Sequence, residues 1–354
     1  MRVFQFKSER FPNANASIHK KSLLHNVLIL DGGLSTEIEN YDGIRLSEGC
    51  LWSARLLLPQ NAHLQQAIVH AHSNYFRSGA EIATTSSYQV SLDGLLREFK
   101  GDIGTAQPLL LPMLNKSIEL ASIARDTQYR IQDNSNKPMI AASIGCFGAA
   151  LADGSEYRGQ YTLNVDQLVS WHLDRFRALA LHPQTDILIF ETIPCIIEVE
   201  AIVRLLNSHS EMIQKRQLKV IIAVACRNES QLNSGEPIFK LTETIQSIRC
   251  QENLIGIGIN CTNPKFVESL LKSFSCSCDK IVYPNSGEEW NANAKQWERP
   301  NGTQSATACL TDWETYLPRW YDAGARIFGG CCRTSPKDIA AIRNYFTNTP
   351  NQMN

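Results

Sequence analysis

Short apolar runs recur along the chain, each followed by a longer stretch in which apolar residues return every third or fourth position. The runs cover 27–31, 80–85, 138–145, 186–191, 218–225, 254–261, 279–285 and 325–329. Ile, Val and Leu dominate them with little polar alternation, as in strands of a parallel sheet buried on both faces. Stretches 61–76, 109–125, 166–181, 195–207 and 264–274 have the one-sided period of packed helices. Stretches 312–322 and 336–345 repeat it, with their prolines expected at helix starts, where the missing N–H costs nothing. Eight strands alternating with helices predict the α/β class and a single (β/α)₈ barrel, its active site at the C-terminal ends of the strands. A doubly wound open sheet is the alternative. Against it, Asp31-Gly32-Gly33-Leu34 after the first run lacks the glycine spacing of a dinucleotide turn. The barrel is expected over 26–347, between a leader without order over 1–25 and a tail over 348–354. Stretches 146–161 and 285–309 read as long loops.

The strand ends decide what such a barrel could do, because they converge on one mouth. The predicted ends deliver Asp31 with Gly32 and Gly33, then Thr84, Thr85 and, slightly beyond, Tyr88. Next come Gly145, Glu191 with Thr192, and Asn260 with Cys261. Tyr283 with Asn285, and Gly329-Gly330-Cys331-Cys332, complete the rim. Only one strand separates the run ending in Cys261 from the run before Cys331 and Cys332, so the three thiols could meet. Three thiolates around a zinc ion leave a fourth tetrahedral position open, the arrangement of a catalytic site. Three unrelated cysteines, or a strained vicinal disulfide, are the plainer readings. Asp31 and Glu191 could hold an ammonium group, and amides after Asp31 a carboxylate, which together would recognise an α-amino acid. The competing reading makes Asp31 a helix cap and pairs Glu191 with an arginine.

Other residues point to structure. His70 and His72 are two apart on a helix and cannot share a metal. His172 and His182 read as helix-surface or helix-end residues, and Trp171, Trp313 and Trp320 as packing anchors. Cys276 and Cys278 read as structural or incidental.

Composition narrows the partners. The 354 residues carry 34 basic and 35 acidic side chains, a net charge of −1, which gives no long-range field to gather nucleic acid or an anionic membrane. No apolar run approaches the roughly 18–20 residues that cross a bilayer. Small-molecule partners are expected. Eleven cysteines, without an apolar signal segment at the start, favour thiol or metal chemistry over disulfides. A cytoplasmic location is expected, with a mitochondrial one left open by the mildly basic leader. Oligomeric state is not legible.

Asp31-Gly32-Gly33, the strand end Glu191-Thr192, Gly258-Ile-Asn-Cys261 and Gly329-Gly-Cys-Cys-Arg333 together resemble the homocysteine S-methyltransferase family from about Leu28 to Ile342. Leu151-Ala-Asp-Gly-Ser-Glu-Tyr-Arg-Gly159 and Tyr283-Pro-Asn-Ser-Gly-Glu288 look most like members that use S-methylmethionine or S-adenosylmethionine, and the second argues against betaine. The resemblance implies one zinc ion per chain, held by Cys261, Cys331 and Cys332. It implies homocysteine binding by Asp31 and Glu191 at the amino group, with Gly32 and Thr84 near the carboxylate. Tyr88, Asn260 and Asn285 are expected to line the cavity. Stretch 146–161 is expected as a lid in which Asp153, Glu156 or Tyr157 faces the donor's sulfonium. The implied reaction is transfer of that methyl to the homocysteine thiol, giving methionine. Selenocysteine as acceptor, or a non-catalytic zinc barrel that binds amino acids, are the alternatives.

Overall fold

The computed structural model describes residues 23–349, except 42, 47, 48, 50, 133–136, 292–295 and 299–311. Of the leader expected over 1–25, residues 1–22 lie outside the described residues, while 23–25 belong to a 3₁₀ turn, Leu23–Asn26; of the tail, 350–354 lie outside. Eight parallel strands follow one another around a barrel: β1 (Leu28–Ile29), β2 (Ile82–Thr84), β3 (Met139–Gly145), β4 (Ile187–Ile193), β5 (Lys219–Val224), β6 (Leu254–Asn260), β7 (Asp279–Tyr283) and, after an insertion, β10 (Ala325–Phe328). Each pairs with its neighbour, and β10 pairs with β1. A parallel bridge between Leu30 and Ile82 joins β1 to β2 and closes the ring. All eight predicted runs are barrel strands.

Alternation along each strand sorts residues between two cores. Ile187 and Ile189, Ile221 and Ala223, and Ile281 and Tyr283 pack with Leu30, Ile82, Ala141 and Ile327 inside the barrel. Leu188, Phe190, Val220, Ile222 and Val224 point outward and join the larger core under the helices. The same parity carries β2 from Ile82 to Thr84, β3 from Ala141 to Ser143, and β4 from Ile189 to Glu191. Thr84, Ser143 and Glu191 thus enter the interior at its C-terminal end.

The helices include Gln65–Arg77, Ile103–Gln132, Val165–Leu181, Ile196–Ser208, Pro264–Lys272, Trp313–Asp322 and Pro336–Asn348. Pro264 and Pro336 start theirs as expected. Pro318 does not: it stands inside Trp313–Asp322, which corrects the expectation. That helix is held by its buried face of Trp313, Leu317 and Trp320, which outweighs the lost backbone bond. His172 also corrects its reading. It is fully buried, with Nε2 2.9 Å from Glu198 Oε1. The signal was present, since Leu168, His172, Arg175, Phe176 and Leu179 form one buried stripe at helical spacing. His182 does end that helix. Trp313 and Trp320 are buried in the packing, and half-buried Trp171 donates to Asp93 at 2.7 Å. The expected loop at 285–309 begins with a small antiparallel hairpin, β8 (Glu289–Asn291) and β9 (Gln296–Glu298). The loop at 146–161 contains a helix, Phe147–Leu151, and a 3₁₀ turn, Ser155–Tyr157.

Candidate active site at the barrel mouth

A cavity of about 300 Å³ opens at the C-terminal rim. Gly32, Thr84, Tyr88, Glu191, Cys261, Tyr283, Cys331 and Cys332 line it, together with Glu156 and Tyr157 from the 146–161 loop. The three sulfurs lie within 4.8 Å of one another, with Cys261 Sγ 3.8 Å from Cys332 Sγ. Tetrahedral zinc with sulfurs at about 2.3 Å would set neighbouring sulfurs about 3.8 Å apart, so the donor set fits that ion. Hydrogen bonds from Cys261 and Cys331 hold the Cys332 thiol well below the ordinary range. The Cys261 thiol is pushed up by its hydrogen bonds with Cys331 and Cys332 and by burial. The described cysteines are free thiols.

Backbone holds the sulfurs in position. Cys261 follows β6 with a left-handed φ of 46°, and its N–H donates to Tyr283 O at 3.2 Å. Cys331 N–H donates to Pro284 O at 2.8 Å, and Ser286 N–H to Cys332 O at 3.1 Å. Thr334 Oγ donates to Cys331 O at 2.7 Å while accepting from Gly33 N–H at 3.1 Å. At Gly33 a Cβ would stand 2.6 Å from Cys331 O, so this approach of β1 to the thiol loop requires glycine. Tyr75 Oη completes the seam by donating to Gly33 O at 2.9 Å, with Thr334 O at 3.1 Å.

The acids stand beside the thiols. Glu191 accepts a short hydrogen bond from Ser143 Oγ, and burial and then the Cys331 charge push its carboxyl up to about 7. Asp31 sits behind Thr84, whose N–H and Oγ donate to its two oxygens at 2.8 and 2.5 Å. Burial raises Asp31 to about 8 despite those bonds, with Glu191 adding like charge. Among the described residues, no arginine pairs with either carboxylate. Asn260 and Asn285 do not line the cavity, contrary to expectation. Asn260 is fully buried and spends its amide on Thr192, accepting from its N–H and donating to its Oγ, both at 2.8 Å. That clamp holds Thr192 at a φ of 61°, just past Glu191. Asn285 Oδ1 accepts from Gly287 N–H at 3.0 Å and fixes the turn after β7. Thr36, Glu39 and Trp52 also line the cavity. Their segments carry neither strand nor helix period strong enough to reveal them.

A family model for homocysteine S-methyltransferases matches residues 28–346. The chain belongs to the homocysteine S-methyltransferase family. Homocysteine S-methyltransferase YbgG of Bacillus subtilis is 35% identical over 89% of this chain and 93% of its own. Selenocysteine Se-methyltransferase of Brassica oleracea is 36% identical over 89% and 87%. The metallated form of the homocysteine methyltransferase MmuM from Escherichia coli superposes with a TM-score of 0.73 at 31% identity, covering 90% of this chain and 96% of that one. The family's methyltransferase chemistry agrees with a cavity that combines thiols and carboxylates. No helix among the described residues is long and apolar enough to cross a membrane.

Proposed function

We propose that this homocysteine S-methyltransferase is zinc-dependent and takes its methyl group from a sulfonium donor, S-methylmethionine or S-adenosylmethionine, to give methionine. The observation that carries the reading is the convergence of Cys261, Cys331 and Cys332 on one side of a cavity that also presents Glu191. These three thiols would hold the ion, which would supply a Lewis-acidic position that keeps a substrate thiol deprotonated at neutral pH. Glu191, with Asp31 within electrostatic reach, receives the homocysteine ammonium. Thr84 Oγ and the backbone at Gly32 stand near its carboxylate. Asn260 acts through Thr192, and Asn285 through the turn that carries Ser286 against Cys332. The 146–161 loop covers the donor side and helps exclude water, while the rim aligns the two substrates. No general base is required of the protein once the acceptor is bound as thiolate.

The test is methionine formation by reduced, zinc-loaded protein with homocysteine, comparing S-methylmethionine, S-adenosylmethionine and betaine, with and without a chelator. Chelator-sensitive turnover with a sulfonium donor is the expected result. Undiminished turnover in metal-free protein would sink the zinc reading. Selenocysteine belongs in the acceptor panel, since the selenocysteine Se-methyltransferase relative aligns over most of the chain. Cys331→Ser is expected to lose both zinc and activity, read by metal analysis and the same assay.

A further inference from the structure

We propose that Glu156 is the specificity-determining carboxylate of the donor side: it selects a methyl donor carrying a positive sulfonium over the neutral thioether left after transfer. The inference rests on the sulfonium-donor reading above and assigns that recognition to one residue. Three side chains of the 146–161 loop are within reach of the role. Asp153 is exposed, accepts from Ser155 N–H at 2.9 Å and pairs with Arg158 at 3.5 Å, so it caps its own turn. Tyr157 lines the cavity but carries no charge to offer a cation. Glu156 lines the same cavity, and its Oε2 is closed off from solvent with no hydrogen-bond donor directed at it.

The neighbouring cations are committed elsewhere. Arg158 donates to Asp153 O at 3.0 Å and Ser155 Oγ at 3.1 Å. Arg333, the one basic residue among the described lining, donates through Nε to Glu288 at 2.8 Å. Burial pushes Glu156 up to about 7, against the hydrogen bond from its own backbone N–H and the charge of Arg158. An enclosed carboxylate whose Oε2 receives no hydrogen bond suits a cation that has no N–H to give, and a sulfonium is such a cation. Tyr88 and Tyr157 line the same cavity, and aromatic rings attract cations. Tyr157 lies within electrostatic range of both Glu156 and the Cys261 and Cys332 thiols, so a charge held here is close to the acceptor sulfur. The turn is fixed independently of the carboxyl, because Asn233 Nδ2 donates to the Glu156 backbone carbonyl at 2.8 Å.

The test is Glu156→Gln in the zinc-loaded enzyme with saturating homocysteine. S-Methylmethionine and methionine share the α-amino and carboxylate groups and differ by the methyl and its charge. We expect the KM for S-methylmethionine to rise about tenfold or more, the scale of one charged contact. The Ki of methionine, measured as a competitive inhibitor against the donor, is expected to change by less than about twofold, the scale of a lost uncharged contact. The KM for homocysteine and the zinc content are expected to stay at wild-type values, and Glu156→Asp to recover part of the donor KM. An unchanged donor KM would overturn the proposal. So would KM and Ki rising together, which would assign Glu156 to the ammonium end or to the fold. If wild-type enzyme used no sulfonium donor, the underlying reading would fail and this proposal with it. Turnover by wild type with an indifferent Glu156→Gln would sink this proposal alone.

Discussion

Glu191 and Asp31 face opposite demands at the barrel mouth: burial favours their protonated forms, whereas the ammonium proposed to bind there would need them ionised. Glu191→Gln keeps the size and the hydrogen-bonding oxygen but removes the charge. Its KM for homocysteine should rise about 10- to 100-fold, the scale of a charge-assisted contact, with zinc content unchanged. Loss of zinc in this variant would show instead that Glu191 supports the thiols. Asp31 gives a prediction in pH. Its folded value of about 8 lies above the ordinary 3.8, so between these limits the native state holds a proton that the unfolded chain has released. Stability is then greatest at low pH and falls as pH rises through this window, by up to about 1.4 kcal/mol per pH unit from this group alone. Asp31→Asn should flatten that slope between pH 5 and 8, measured from urea midpoints of metal-free, reduced protein. An identical slope in the two proteins would mean that Thr84 keeps Asp31 ionised throughout.

The site depends on the seam where the loop after β1 meets the loop after β10. Tyr75, from the helix Gln65–Arg77, joins the two through Gly33 and Thr334. Tyr75→Phe should cost about 1–2 kcal/mol, the net worth of one or two buried hydrogen bonds, seen as a lower urea midpoint at unchanged slope. An unchanged midpoint would mean that the Thr334 bridge holds the seam alone. These elements differ in how far the sequence exposes them. Barrel strands show plainly because both faces are buried, so Ile187–Ile193 and Leu254–Asn260 read as continuous apolar runs. Long helices show through their stripes. Lys240–Ile245, at six residues, is too short to set up a period, and the β8–β9 hairpin has no apolar run to announce it. The thiols and Glu191 were legible because parity and strand ends fix where they point. Asn260 and Asn285 stand at equally good positions in the chain, yet Asn260 turns its amide to Thr192 and Asn285 turns its own to the backbone of the following turn. That choice depends on the left-handed Thr192 and on the turn at Gly287, which no spacing reveals. His172 has the polarity of a surface residue, but its place in the buried stripe puts it inside.

At the scale of the whole molecule, the cavity draws on the ends of β1, β2, β4, β6, β7 and β10, so a ligand that fills it ties the ring together across its diameter. The thinnest part of that ring is β1, two residues long and joined to β2 by a single bridge at Leu30. The net charge of −1 hides an acidic mouth, with Glu39, Glu156 and Glu191 among the lining residues against Arg333. Such a cavity gains most from ligands that bring positive charge, and zinc is the largest charge it can take. Zinc and homocysteine should therefore stabilise the barrel in a fixed order. Homocysteine added to chelator-treated protein should move the unfolding temperature little, because only the Glu191 end can hold it. Added to zinc-loaded protein at about a hundredfold over its Kd, it should contribute about 2.7 kcal/mol, a shift of several degrees in a scanning measurement. Cys331→Ser should show neither the zinc shift nor the homocysteine shift. If homocysteine stabilised Cys331→Ser as much as wild type, its thiol would not be held at the three cysteines, and the ammonium end alone would account for binding.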